Sequence, residues 1–361
     1  MNTRKIQKMY FETFYCLKRW MIQKNVRRMI GSYCDPAFKL TKEQEKQVKD
    51  FYGAYIKDMP MLFHEFYTQK TGIFSPYYLP MDIYLNNVDE YFNDRTESKY
   101  MDNKCYYPTL FKGIPQPEAV VLRIGGLWYS SDMELISEEK MKELISAEPE
   151  FFAKQATASY GGKGVVHISA EKGDVYKQFE EFLSYAKNDI IVQKPVRQHK
   201  DISAIHENSV NTMRIISLLS KDGVKVYSAI LRVGVGGNKV DNASQGGVTC
   251  GITEDGKLKK GCYRLNGDHF DVHPTNNFDF EGYQIPSFDK AIELVKKAHP
   301  MVPHFKLVSW DVAITEDGTP VMIEANLAKG SSEFHQYNNG PLFGEDTKKI
   351  LDEVFGKNTA Q

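Results

Sequence analysis

The pattern of apolar and polar positions changes character near residue 150. Ahead of that point apolar residues recur every three or four positions, the period of a helix with one buried stripe. Behind it they alternate in short runs broken by glycine-bearing turns, the period of strands. In the first thirty residues Ile6, Tyr10, Phe14, Leu17 and Met21 form one helical stripe, and Arg4, Lys5, Lys8, Lys18 and Arg19 fall on the other side. A helical pattern runs from 41 to about 70, with Thr41 as N-cap and Glu43 and Glu45 in the first turn. Residues 71–110 are rich in Tyr, Asn and Asp and predict irregular structure with short helices. Pro115 and Pro117 precede an apolar stretch over 119–124, and 138–145 is a short helix that stops before Pro149.

Beyond 150, the runs 151–154 and 164–168 flank a glycine-rich turn, 175–187 is helical and 189–193 is a short apolar strand. Strands over 213–219 and 224–233 surround Lys221-Asp222-Gly223. A helix over 285–297 follows, then strands over 308–315 and 319–325 around Asp317-Gly318. There is no internal repeat. The expected class is α+β with largely antiparallel strands, not a series of βαβ units.

Composition narrows the class. The 361 residues are 42% hydrophobic and 26% charged, a globular balance long enough for two or three lobes. No uninterrupted apolar run reaches the ~18 residues of a spanning helix, and no signal peptide is legible. Five scattered cysteines, Cys16, Cys34, Cys105, Cys250 and Cys262, form no C-x-x-C pair, which points to a reducing cytoplasm. A net charge of −1 gives no pull toward nucleic acid. The charge is uneven, however. Residues 1–34 carry eight basic side chains and one acid, so they hold +7 and the remainder −8. A basic amphipathic helix of this kind can lie on an anionic membrane surface. The commoner arrangement docks the apolar stripe on the protein's own body.

Three constellations carry chemistry. Around Asp317-Gly318 a two-residue hairpin sets Asp311 opposite Glu324, with Cβ atoms ~5 Å apart, and Asn326 on the same face. Trp310, Val312, Ile314, Val321 and Ile323 are then expected on the core face. Opposed carboxylates repel unless a cation lies between them, and oxygen ligands from Asp, Glu and Asn suit Mg²⁺. Second, Lys154 precedes Tyr160-Gly161-Gly162-Lys163-Gly164, a plausible phosphate clamp that is neither a Walker loop nor a Rossmann fingerprint. Third, Asn211-Thr212-Met213-Arg214, with Arg232, precedes the run Asp241, Asn242 through Gly246 and Gly247. Arg214 in mid-strand implies an anionic partner, either a ligand or a structural carboxylate. His269 and His273 lack a third metal ligand and are expected at the surface.

In this order the pieces resemble the ATP-grasp superfamily. Asn103-Lys104 with the run 113–117 is similar to the entrance of its central domain, Lys154 with Gly161, Gly162, Lys163 and Gly164 to its nucleotide lysine and phosphate loop. Residues 191–196, including Gln193, Lys194, Pro195 and Val196, resemble the adenine hinge, with Gln193 where most members have Glu. Asp311, Glu324 and Asn326 match the magnesium triad. Ser309 stands where many ligases carry an Arg, so Arg214 or Arg232 would supply that charge. The runs 209–214, 240–247 and 309–314 resemble the sugar-transfer-associated group, thought to belong to bacterial surface-polysaccharide pathways.

That resemblance implies two α+β lobes clasping ATP, with a helical N-terminal extension. The expected divisions are a helical extension over 1–70, a linker region over 71–150, a small nucleotide lobe over 151–196 and a large lobe with the Mg²⁺ site over 197–361. It also implies ATP and Mg²⁺ as cofactors, and Lys104 and Lys154 on the phosphates. Arg214, Arg232 and Asn211 would be catalytic, and Asp241, Asn242, Gly246 and Gly247 would bind substrate. The implied reaction joins a small-molecule carboxylate and an amine, such as an amino acid and a uronic-acid sugar, through an acyl-phosphate. A kinase or a non-catalytic nucleotide sensor are the alternatives. The expected place is the cytoplasm, with contact at the inner face of the membrane through residues 1–34.

Overall fold

The computed structural model describes residues 3–157, 164–187, 189–237, 241 and 243–356. The chain divides into two compact units, one of residues 1–92, 266–269 and 331–361, the other of 93–265 and 270–330.

The first unit is helical. Helix α1 spans Thr3–Tyr33, α2 Lys42–Tyr52 and α3 Leu62–Thr71. Gly53 and Pro60 break the expected 41–70 helix in two. Thr41 caps α2 as expected, in a capping box with Gln44. The core of this unit is aromatic, with Tyr52, Phe63, Phe66, Tyr67 and Tyr78 all buried. The short helix Glu333–Asn339 belongs to it and is itself buried. Its Gln336 donates to Tyr67 Oη and Leu79 O and accepts from Leu79 N. Residues after 330 therefore pack with the N-terminal unit, where the sequence reading placed them in the large lobe. The side chain of Gln336 is what a linear reading cannot see: it satisfies backbone 257 positions away.

Helix α1 corrects a second expectation. The side that meets the body carries Arg19, Gln23, Val26, Arg27 and Ile30, while Leu17 and Met21 of the apolar stripe are about half exposed, at 52% and 50%. Arg27 pairs with buried Asp82 at 2.7 Å, and Arg19 donates to Asn86 O. Charge pairing with a buried carboxylate has decided which side faces in. The side chains of Ile6, Tyr10 and Phe14 lie outside the described residues.

The second unit holds two antiparallel sheets. The smaller contains β1 (Ala119–Ile124), β2 (Leu127–Ser130), β3 (Glu150–Gln155), β4 (Val165–Ser169) and β5 (Ile190–Gln193), in the order β2-β1-β5-β3-β4. Helices Glu138–Ala147 and Val175–Tyr185 cover one face through Met141, Ile145, Phe179 and Phe182. The small lobe thus begins at 119, earlier than the expected 151, because β1 pairs with β5 from across 70 residues of chain. The larger sheet contains β6 (Thr212–Ser220), β7 (Gly223–Val233), β8 (Val248–Gly251), β9 (Cys262–Tyr263), β10 (His269–Phe270), β11 (Leu307–Ile314) and β12 (Pro320–Asn326). Its order is β10-β9-β8-β7-β6-β11-β12. Helix Phe288–Ala298 packs on it through Ala291, Leu294 and Val295, over a core that includes Trp310, Val312 and Met322.

Candidate active site

The hairpin of β11 and β12 sets the register of the site. Asp311 lies opposite Glu324 and Ser309 opposite Asn326, as the sequence predicts. The register then slips by one: Val312 pairs with Met322, so Ile323 is an extra residue in β12. Met322 therefore points into the core and is fully buried, in the place expected for Ile323. At the bulge Met322 N donates to Pro115 O at 2.9 Å. Tyr107 Oη donates to Ala325 O at 3.1 Å, steadying the strand beside Glu324.

Three neighbouring strands put their charges on one face. Asp311 is the register partner of Arg214 on β6, and Thr212 that of Arg232 on β7. Arg214 meets Asp311 with two parallel bonds, Nε to Oδ1 at 2.8 Å and Nη2 to Oδ2 at 2.7 Å. Arg232 Nη1 donates to the same Oδ2 at 2.8 Å, and its Nη2 lies 3.2 Å from Asp241 Oδ1. Burial alone would raise the Asp311 carboxyl, but Arg214 and then Arg232 overcome it and bring it down to about 2. Burial pulls the Arg214 guanidinium down, and Asp311 more than restores it. Asp241 is pushed up by burial, against the opposing pull of Arg232 and Thr212. Asp241 also accepts from the Thr212 backbone and hydroxyl, which fixes its strand-side end.

Both amide hydrogens of Asn211 are committed to the fold. Its amide donates to Ile202 O and His206 O, its oxygen accepts from Ser209, and it is 2% exposed. It supports the start of β6. His206 joins that support, bonding Ser209 and Gly236 O. His273, expected at the surface, is fully buried and bonds Gly234 O at 2.8 Å, while His269 is exposed. The peptide oxygens of the 234–236 turn are what require these buried imidazoles.

The small sheet contributes the remaining cations. Lys154 sits on β3 and donates to Gln193 Oε1 on β5 at 2.8 Å. Burial lowers its pKa to about 8, assisted by Lys104 and opposed by Glu324. Gln193 in turn donates to Pro117 O at 3.3 Å. Lys194 N donates to Glu118 O at 2.9 Å, and the Lys194 side chain pairs outward with Glu118 and Glu148. Pro195 and Val196 follow without regular structure. Lys104 begins a short 3₁₀ turn capped by Asn103, whose amide donates to Asp189 at 2.7 Å. Lys104 N donates to Ala156 O at 3.1 Å, and its Nζ reaches Glu324 at 2.7 Å. Asp189 was not legible from the sequence, because its role comes from Asn103, 86 positions away in the chain.

Gly164 closes the base of the glycine-rich turn with φ +80, and an added Cβ would meet Gln155 Nε2 at 2.8 Å. Gly161, Gly162, Lys163 and Asn242 lie outside the described residues. Gly246 adopts φ +92 after a 3₁₀ turn over 243–245, and Gly247 leads into β8.

Among the described residues, four cations, Lys104, Lys154, Arg214 and Arg232, thus surround three carboxylates, Asp241, Asp311 and Glu324. The excess of one positive charge suits a polyanion better than a lone metal ion. Asn326 donates to Ser309 O at 3.0 Å, which leaves its amide oxygen as a ligand atom. Asp311, Glu324 and Asn326 thus offer oxygen atoms only, the ligand type that Mg²⁺ takes.

A family model described as sugar-transfer associated ATP-grasp matches residues 86–350. Solved structures resemble the chain at low identity. They include an ADP complex of N5-carboxyaminoimidazole ribonucleotide synthetase, with 15% identity and a TM-score of 0.39 over 66% of this chain and 50% of that one. The D-alanine–D-alanine ligase from Coxiella burnetii gives 11% identity and 0.40, over 71% and 58%. A D-Ala:D-Ser ligase from Enterococcus faecalis gives 14% and 0.42, over 71% and 61%. The chain spans less than two thirds of the length of each of these three. No curated protein sequence matches it.

Proposed function

The chain belongs to the sugar-transfer-associated ATP-grasp family, and we propose that it is an ATP-dependent carboxylate–amine ligase of sugar-conjugate biosynthesis, working through an acyl-phosphate. The carrying observation is the convergence of Arg214 and Arg232 on Asp311, with Lys104 held on Glu324 and Lys154 beside them.

Phosphoryl transfer needs positioning and charge neutralisation more than covalent help. Lys104 and Lys154 would hold the α- and β-phosphates of ATP, and Gln193 with the backbone of 194–196 the adenine. Asp311, Glu324 and Asn326 would hold Mg²⁺, which supplies further neutralisation of phosphate charge. The substrate carboxylate attacks the γ-phosphorus and ADP leaves. The amine nitrogen then attacks the acyl carbon, phosphate leaves, and an amide remains. Arg214 and Arg232 would stabilise the negative charge of the acyl-phosphate and the tetrahedral adduct. Asn211 acts as a positioning residue for β6, and Asp241 as an anchor for Arg232. Residues 246–247 would border the substrate. An amino acid and a uronic-acid sugar are the substrate classes that suit a sugar conjugate, and the cytoplasm is the matching compartment.

A nucleotide sensor has no need of two buried arginines on the metal-side carboxylate. A sugar kinase would use the same groups and is separated by its product. With ATP, Mg²⁺ and a pool of amino acids and uronic acids, hydroxylamine should trap a hydroxamate in step with ADP. A stable phosphorylated sugar without hydroxamate decides for the kinase.

A further inference from the structure

The outward side of α1 has no role in the ligase reading, and its composition is unusual for a surface. Leu17, Trp20 and Met21 are exposed by 52%, 52% and 50%. Leu17 and Met21 point away from Arg19, Gln23, Val26 and Ile30, which face the body, and Trp20 stands at the edge between the two sides, where it borders with Arg19, Gln23 and Arg27 a groove against Asp82 and Asn86. Lys18, Lys24 and Arg28 flank them and are exposed too, and none of the three pairs with a carboxylate among the described residues. Lys24 lies 4.9 Å from the centre of the Trp20 ring. The arginines that do pair with acid, Arg19 and Arg27, are those on the inner side.

We propose that this side of α1 docks on an anionic lipid surface. A band of Leu, Trp and Met bordered by unpaired lysine and arginine is the composition of an interfacial helix: the apolar band enters the headgroup boundary, Trp sits at its level, and the cations meet lipid phosphates. Residues 1–34 carry +7 in all, so the attraction is concentrated at one end of a chain whose remainder carries −8. No helix of the described residues is long and apolar enough to cross a membrane, so the contact is peripheral. The proposal is independent of the ligase reading.

The test uses the full chain without nucleotide. Of the three tryptophans, Trp128 and Trp310 are buried, so a blue shift in fluorescence reports Trp20. Phosphatidylcholine vesicles with about one third phosphatidylglycerol should bind the protein and shift the emission. Pure phosphatidylcholine should do neither, and binding should fall as salt rises. Replacing Lys18, Lys24 and Arg28 together by Gln should weaken vesicle binding on the order of a hundredfold, as three surface charges would. Trp20→Ser should weaken it with the fold unchanged by circular dichroism. Equal binding to neutral vesicles, or no binding to either, overturns the proposal. So does a concentration-dependent dimer that Leu17→Glu dissociates, since a second copy would then cover this side.

Discussion

Lys104 and Glu324 stand 220 positions apart in the chain and meet at 2.7 Å. The lysine is held to the end of β3 through Ala156 O, and the glutamate is on β12, so one ion pair links the two sheets across the site. Each group of this pair has another use. In the proposed reaction the lysine would hold phosphate and the carboxylate a cation, so nucleotide and metal would enter together, each group exchanging one partner for another.

Magnesium alone should therefore shift the melting temperature of the wild type by little, and magnesium with ATP by several degrees. Lys104→Met should reverse the order: it frees Glu324, so the shift from magnesium alone grows while that from magnesium and ATP shrinks. Differential scanning fluorimetry measures all four. A large shift from magnesium alone in the wild type would contradict the coupling.

Lys154→Met should weaken ATP binding about 10- to 100-fold by calorimetry, the loss of one charge-assisted bond. The pH dependence has a definite sign. Because the folded-state pKa is near 8, against an ordinary 10.5, ATP affinity of the wild type should fall as pH rises through 8. The buried charge disfavours folding below pH 8, and that penalty fades as pH rises from 8 toward 10.5. The methionine variant should accordingly melt higher at pH 7, with an advantage that narrows by pH 10.

Asp311→Asn and Glu324→Gln should separate structure from chemistry. Removing Asp311 strands two buried guanidiniums and should cost about 3–5 kcal/mol in urea unfolding. Its folded-state value near 2 lies below the ordinary 3.8, so its contribution is present above pH 3.8 and lost as pH falls toward 2. Glu324 is one third exposed in an ion pair and should cost under about 1 kcal/mol. The repulsion that an opposed carboxylate pair would create is already cancelled by Lys104, Arg214 and Arg232, so Glu324→Gln should bring no gain in stability, yet abolish turnover.

Asn211→Ala should lower the melting temperature, because it leaves Ile202 O and His206 O without their buried donor, at about 1–3 kcal/mol. The kcat of the protein that remains folded should change less than tenfold. A thousandfold loss at unchanged stability would make Asn211 a catalytic residue.

Local pattern carried much of this molecule into view. Alternation and turn residues set eight of the twelve strands among the described residues to within a residue or two and missed the short strands β2, β8, β9 and β10. Counting outward from Asp317-Gly318 pairs Asp311 with Glu324, but at the turn itself Thr315 and not Glu316 meets Thr319, and the extra residue at Ile323 restores the count. What escaped was made by distant partners. The bulge at Ile323 follows from Pro115 O, the buried side of α1 from Asp82, and the burial of His273 from Gly234 O. The sequence shows that Arg214 needs an anionic partner, and only the strand order shows Asp311 to be one. No periodicity encodes such meetings, since each depends on strand order.

The extra residue in β12 splits that strand into two halves with separate masters. From 320 to 322 it answers to the turn and the core beneath Val312, and from 324 to 326 it answers to Asp311 and Ser309, themselves fixed by β6. The slack at Ile323 insulates one half from the other. Length changes in the 315–319 turn can be absorbed there, so the spacing of Asp311, Glu324 and Asn326 is inherited from the middle of the sheet and not from its hairpin.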